Sequence, residues 1–242
     1  METQIATLNV RGLGNTLKRK QMFKWLKDSG NDIFMLQEVH CKTDTCQKWT
    51  LEWGHECIFS GNKTNSEGVA ILFKTSQNIK IVNSCEVVQG RILATDIILN
   101  DYELTLVNVY GPNKDDQYFF SRLEQFILSN NEKTFIIGGD YNTVINEKLD
   151  KKNGNIARHK KNREIITQMM TSANLLDAWR LQHQAKLQFT WHSNMKSYVH
   201  CRLDYFLVSE NIVNILTKTQ IKNSYKTDHS IVTMTTRGPK GP

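Results

Sequence analysis

The sequence predicts a layered α/β protein organised around β-sheet. Three observations carry that prediction. Apolar runs of strand length recur along the chain, and stretches with helical apolar spacing are interleaved with them. Two neighbouring runs are joined by Asn100-Asp101, a hairpin signal, so part of the sheet is antiparallel. The chain has 242 residues, 39% hydrophobic and 23% charged, enough to bury a large core without covalent staples. Only three prolines occur, with no low-complexity linker and no internal repeat. Residues 1–236 therefore read as one domain, and 237–242 as the start of a linker or an added tail.

The elements follow in order. IATLNV (5–10) reads as a buried strand. TLKRKQMFKWLKDSG (16–30) reads as a helix, with Thr16 as N-cap, Gly30 after its end, and Met22, Phe23 and Leu26 as its apolar stripe. DIFMLQE (32–38), GVAILF (68–73), RILATDIIL (91–99) and ELTLVNVY (103–110) read as strands. DDQYFFSRLEQFILSN (115–130) is a helix with Phe119, Leu123, Phe126 and Ile127 on one face. KTFIIGG (133–139) is a strand. REIITQMMTSANLL (163–176) is a helix whose Ile166, Met169 and Met170 belong to the core. LDYFLVS (203–209) and SIVTMTT (230–236) are the last strands.

The formal net charge is +7 and the pI about 9.1, which points to a polyanionic partner, nucleic acid above all. Cysteines at 41, 46, 57, 85 and 201 form no framework and read as free thiols of a reducing compartment. His40, Cys41, Cys46, His55 and Cys57 cluster in sequence, but at spacings that match no common zinc motif. METQIATLNV lacks the regions of a signal peptide, and no apolar run approaches the ~18 residues that span a bilayer. A soluble intracellular protein without a membrane partner is expected.

The functional signal lies at the strand ends. Asn9 falls near the end of the first strand, and Glu38 closes the second. Tyr110 closes another, and Asp140 and Asn142 follow KTFIIGG within GGDYNTV. Asp204 opens LDYFLV, and Asp228-His229 precede the last strand. Any one of these is an ordinary turn or cap residue; together they mark the edge where α/β sheets assemble sites. Their shared chemistry is phosphodiester hydrolysis. Glu38, and secondarily Asp228, offer hard oxygen ligands to a divalent cation. Asp140 is a carboxylate that can take a proton from water. His229, Asn142, Asn9 and Tyr110 can donate to phosphoryl oxygens, with Asp204 orienting His229. No covalent-nucleophile, Walker A or dinucleotide-binding motif occurs.

LNVRGLG, LQEVH, VNVYGPN, IIGGDYNTV, RLDYFLVS and TDHSIV, in this order and spacing, resemble the exonuclease–endonuclease–phosphatase superfamily. More closely, the chain resembles the apurinic-type endonuclease domain of non-LTR (LINE-type) retrotransposon polyproteins, over about Ile5 to Met234. The resemblance implies two mixed β-sheets packed as a sandwich, with helices on the outer faces and the site at one sheet edge. It implies a Mg²⁺-dependent endonuclease, with Mn²⁺ as a substitute ion. Such an enzyme nicks one strand of double-stranded DNA and leaves a 3′-OH that primes the reverse-transcriptase domain of the same polyprotein. That work is done on chromosomal DNA in the nucleus, after synthesis in the cytoplasm.

Position by position, Glu38 matches the principal metal ligand and Asp228 the acidic residue before the histidine. Asp140 matches the water-orienting base, Asn142 and Asn9 the organising amides, and Tyr110 the phosphate-contacting tyrosine. Asp204 and His229 match the Asp–His pair. Thr190 matches a threonine near the DNA, with Trp191 read as packing. Asn113, His40, Arg11, Lys196, Tyr198 and Arg202 are further candidate DNA contacts. In the first motif Arg11 stands where repair enzymes of the superfamily often have a carboxylate, which argues against a two-metal arrangement and a dedicated repair enzyme. Thr227 replaces the usual Ser of the last motif, and Cys201 a frequent Ser before Arg202. The basic stretch 147–163 is open to two readings, a solvated loop or a phosphate contact. The chain stops at TTRGPKGP, which reads as a domain excised from a longer polyprotein. The alternatives are an abasic-site repair nuclease, another phosphodiesterase or phosphatase of the superfamily, and a catalytically inactive DNA-binding domain.

Overall fold

A computed structural model describes residues 2–61, 66–74, 79–154, 159–193 and 198–238. Lys196 and part of the basic stretch lie outside these residues.

The first half runs β1 (Glu2–Asn9), α1 (Thr16–Asp28), β2 (Ile33–Gln37), α2 (Cys46–Trp53), β3 (Cys57–Ser60), β4 (Val69–Phe73), β5 (Ile79–Val88), β6 (Ile92–Leu99) and β7 (Tyr102–Tyr110). The second runs α3 (Gln117–Leu128), β8 (Phe135–Asp140), β9 (Lys151–Lys152), α4 (Lys160–Ser172), β10 (Leu175–Asp177), α5 (Ala178–Gln182), β11 (Trp191–His192), β12 (His200–Cys201), β13 (Asp204–Ser209), β14 (Leu216–Lys222) and β15 (Ile231–Arg237).

Two six-stranded sheets form, in the orders β14-β15-β1-β2-β4-β3 and β10-β13-β8-β7-β6-β5. Each contains one parallel pair, β1 with β2 and β7 with β8, connected by α1 and α3 respectively. The remaining pairings in these two sheets are antiparallel. Strands β9, β11 and β12 make a small separate sheet.

The layers follow from alternation along the strands. Ile5, Met35, Ile71, Leu106, Ile136 and Phe206 point between the two sheets and form the inner core. Ala6, Leu8, Phe34 and Leu36 point the other way and meet Met22, Phe23 and Leu26 of α1. Val107, Val109 and Ile137 do the same with Phe120, Leu123 and Ile127 of α3 and with Ile166 and Met169 of α4. The result is the expected sandwich of two mixed sheets with helices on both outer faces. The central strands are buried on both faces, which is why they read as continuous apolar runs.

Several boundaries differ from the sequence reading, and two of the differences have a clear local cause. Asn15, not Thr16, caps α1: its Oδ1 accepts from the backbone N–H of Lys18 at 2.9 Å. The helix expected at 163–176 spans 160–172 instead, because Asn174 takes a left-handed φ of 49° and Leu175 enters a strand. Among the described residues, no helix is long and apolar enough to cross a membrane.

Candidate active site

The parallel pairs end together, and the site forms where they end. Tyr110 lies beside Asp140 in the β7–β8 register, and Asp140 lies beside Asp204 in the β8–β13 register. Asn9 and Gln37 are partners at the ends of β1 and β2, one residue before Glu38. Asn9 joins the two sheets: its Nδ2 donates to Glu38 Oε1 and to Asp140 Oδ2, both at 2.9 Å. The two glycines before Asp140 are there for space. A Cβ on Gly139 would strike the Val109 backbone, and one on Gly138 the Phe206 ring.

Asp140 is 1% exposed and also accepts from the Asn142 backbone N–H at 2.9 Å. Burial, and then the charge of Asp204, push its carboxyl up to about 7 against the opposing charge of His229. His229 places Nδ1 2.8 Å from Asp204 Oδ2 and Nε2 3.9 Å from Asp140 Oδ2. Burial opposes its charge, but Asp204 and Asp140 outweigh burial and bring it up to about 10. Both ring nitrogens of His229 therefore carry protons at neutral pH. The charge is present below that value and is lost as pH rises through it. In ¹⁵N spectra of the metal-free chain, the His229 ring should remain cationic through neutral pH and turn neutral only near 10. Titration near 6.5, the ordinary value, would overturn this assignment.

Glu38 adopts a left-handed φ of 50° just past β2, which turns its side chain into the pocket. Burial pushes the Glu38 carboxyl up, but contacts with His40, Asn9 and Tyr110 outweigh it and bring it down to about 2. The Tyr110 phenol is pushed up by burial and by the charge of Glu38, so it stays protonated as a donor. Asn142 is anchored by its own amide, which donates to Gly111 O at 2.9 Å. Thr227 Oγ1 donates to Asn9 O at 2.8 Å, which ties the loop carrying Asp228 and His229 to β1.

A pocket of about 680 Å³ opens over these groups, lined among others by Glu38, Tyr110, Asn142, Asp228 and His229. Asn9, Asp140 and Asp204 support it from beneath. Arg11 stands at the pocket with 61% of its side chain exposed, and Asn113 lines it as well. His40 Nε2 lies 3.7 Å from Glu38 Oε2. Tyr198 is 69% exposed.

Two expected DNA contacts are corrected by burial. Arg202 is fully buried, and its guanidinium is spent on Asp150 at 2.8 and 2.9 Å and on Asp177 at 2.6 and 3.3 Å. Thr190 is also fully buried; its hydroxyl accepts from the N–H groups of Leu203 and Asp204 at 2.9 and 3.1 Å. Neither side chain has surface to offer DNA, and both act by holding the start of β13. Trp191, read as packing, instead lines the pocket and donates from Nε1 to Asp228 Oδ2 at 3.2 Å. Lys18 carried no signal beyond a polar helix face. Its Nζ donates to the carbonyls of Val10 and Arg11 at 2.9 and 2.8 Å.

For a metal ion the chemistry of the donors decides. Asp140, Asp204 and His229 have ligand atoms within 4.8 Å of one another and form a group able to hold an ion. His229 Nδ1 is already engaged by Asp204 at 2.8 Å, so the trio also has the geometry of a hydrogen-bonded acid–base pair. Glu38 is a held, ionised carboxylate facing the pocket, which suits a hard divalent cation.

Residues 6–229 match the endonuclease/exonuclease/phosphatase family. The chain is 26% identical over 239 residues to the transposon TX1 uncharacterized 149 kDa protein of Xenopus laevis. That match takes in 97% of this chain and 18% of the relative, so the chain spans under a fifth of that protein's length. The fold is that of the AP endonuclease LMAP from Leishmania major, with a TM-score of 0.84 at 18% identity, covering 98% of this chain and 88% of the other. It is also that of the 3′ phosphatase NExo from Neisseria, solved with a product DNA hairpin, with a TM-score of 0.74 at 21% identity, covering 96% and 98%. The chain belongs to the endonuclease/exonuclease/phosphatase family of hydrolytic enzymes.

Proposed function

We propose that the chain is a Mg²⁺-dependent DNA endonuclease of a retrotransposon. It nicks one strand of chromosomal DNA in the nucleus and leaves a 3′-OH, which primes a reverse-transcriptase domain of the same polyprotein. The observation that carries this reading is the pairing of Asp140, poised near neutrality, with cationic His229 beside a pocket that holds the ionised Glu38. The likeness to a transposon protein and the chain's positive charge support the DNA target and the element.

A divalent ion at Glu38 would supply Lewis-acid stabilisation of charge on the phosphoryl oxygens. The chain's own groups do the rest. Asp140 orients a water and accepts its proton as the water oxygen bonds to phosphorus and the bond to the 3′ oxygen breaks. His229 and Tyr110 present protons to oxygens whose charge grows in the transition state. Asp204 and Asn9 hold His229 and Asp140 in place.

Supercoiled plasmid, incubated with the chain and either Mg²⁺ or EDTA, tests the reading beside a duplex carrying one abasic site. Mg²⁺-dependent conversion of intact plasmid to open circles is expected. Cleavage of the abasic duplex alone would replace it with a repair activity. A gel shift without cleavage of either substrate would replace it with DNA binding.

A further inference from the structure

Two carboxylates line the pocket, Glu38 and Asp228, and they are held in opposite ways. Glu38 accepts from Asn9 Nδ2 at 2.9 Å and lies 3.7 Å from His40 Nε2, and among the described residues no Arg or Lys pairs with it. Asp228 is already matched to a cation: Arg11 Nη1 lies 2.5 Å from its Oδ2. The same oxygen accepts from Trp191 Nε1, while Oδ1 is buried and has no partner among the described residues.

Resting on the metal at Glu38 read above, we propose that Arg11 is a built-in cation of this site. It occupies Asp228 and limits the pocket to one divalent metal ion. Arg11 is fixed for this part. Its backbone takes a left-handed φ of 48°, its N–H donates to Asn9 Oδ1 at 3.0 Å, and its carbonyl accepts from Lys18 Nζ. The amine of Lys18 adds a second positive charge on the Asp228 side, felt by Arg11, Asp228 and Glu38 alike. A guanidinium does not lose its proton in a protein, so it cannot yield to an incoming metal by neutralising itself. A second divalent ion at Asp228 would meet these charges at close range, whereas an ion at Glu38 would approach a carboxylate that has no Arg or Lys ion pair among the described residues.

Counting Mn²⁺ bound to the chain without DNA, by electron paramagnetic resonance and calorimetry, tests this directly. The intact chain should bind one ion, and Glu38→Gln should weaken it by about tenfold or more. Arg11→Asp removes the cation, adds an oxygen donor and frees Asp228, so it should bind two ions. Arg11→Lys should still bind one. Arg11→Ala, which frees Asp228 without adding a charge, should bind its first ion on the order of tenfold more tightly. Thermal unfolding of each variant confirms that it is folded. Two ions on the intact chain would overturn the proposal, as would an Arg11→Ala isotherm identical to that of the intact chain. Because the count needs no substrate, a chain that binds one ion yet fails to nick DNA would overturn only the endonuclease reading.

Discussion

Replacing Asp140 by Asn should slow plasmid nicking by about a thousandfold, the usual scale for losing a positioned general base. The substitution keeps the shape of the side chain and an oxygen to accept from the Asn142 N–H. It removes the group raised to about 7, which alone in this pocket combines near-neutral titration with a place beside His229. Asp140 is buried, so the exposed charge that meets DNA is unchanged and affinity in a gel shift should hold. His229→Gln should cost a similar factor, and the double variant little more, because the two groups act as one unit. A loss below tenfold for Asp140→Asn would place the water-activating group elsewhere.

Arg202→Ala should destabilise the fold by about 3–5 kcal/mol, the cost of leaving buried charge unpaired. In a chain of this size that lowers the melting temperature by on the order of 10 °C. Asp150 and Asp177 are both buried and both lose their shared partner; Arg180 still reaches Asp150. The dependence on pH has a definite sign. Burial pushes Asp150 up, but Arg202 outweighs it and holds its carboxyl below the ordinary range. A depressed carboxylate contributes stability that is present above its unfolded value near 4 and lost as pH falls through its folded value. In Arg202→Ala that contribution is missing at neutral pH, so the gap between the variants should narrow on acidification. Denaturant titrations at pH 7 and at a pH well below 4 measure both effects. A variant as stable as the intact chain at pH 7 would show the network to be dispensable.

The strands legible in the sequence are those buried on two faces, since burial leaves them no polar side. The edge strands β5 and β14 escaped because half of each faces water, as in IKIVNSCEVV and LTKTQIK. Helix α2 escaped because eight residues, of which only Trp49 and Trp53 are buried, carry too little period. Around the site, the polar residues that end strands were legible because strand ends converge at a sheet edge. The role of Arg202 was not: its partners lie 52 and 25 residues away, and no local pattern tells a buried cation from a solvated one. Trp191 was hidden for the same reason, since its indole meets Asp228 only across the fold.

The pairing of β1 with β15 also has a temporal side. Glu2 of β1 lies against Arg237 of β15, so β1 waits for β15 to be synthesised before its sheet can close. At ordinary translation speeds that wait is roughly 10 to 50 s. His229 precedes that last strand, and Asn9, its neighbour in the site, ends the first. Until β15 has emerged, a nascent chain therefore holds no assembled site, and hydrolysis waits for the synthesis of that strand.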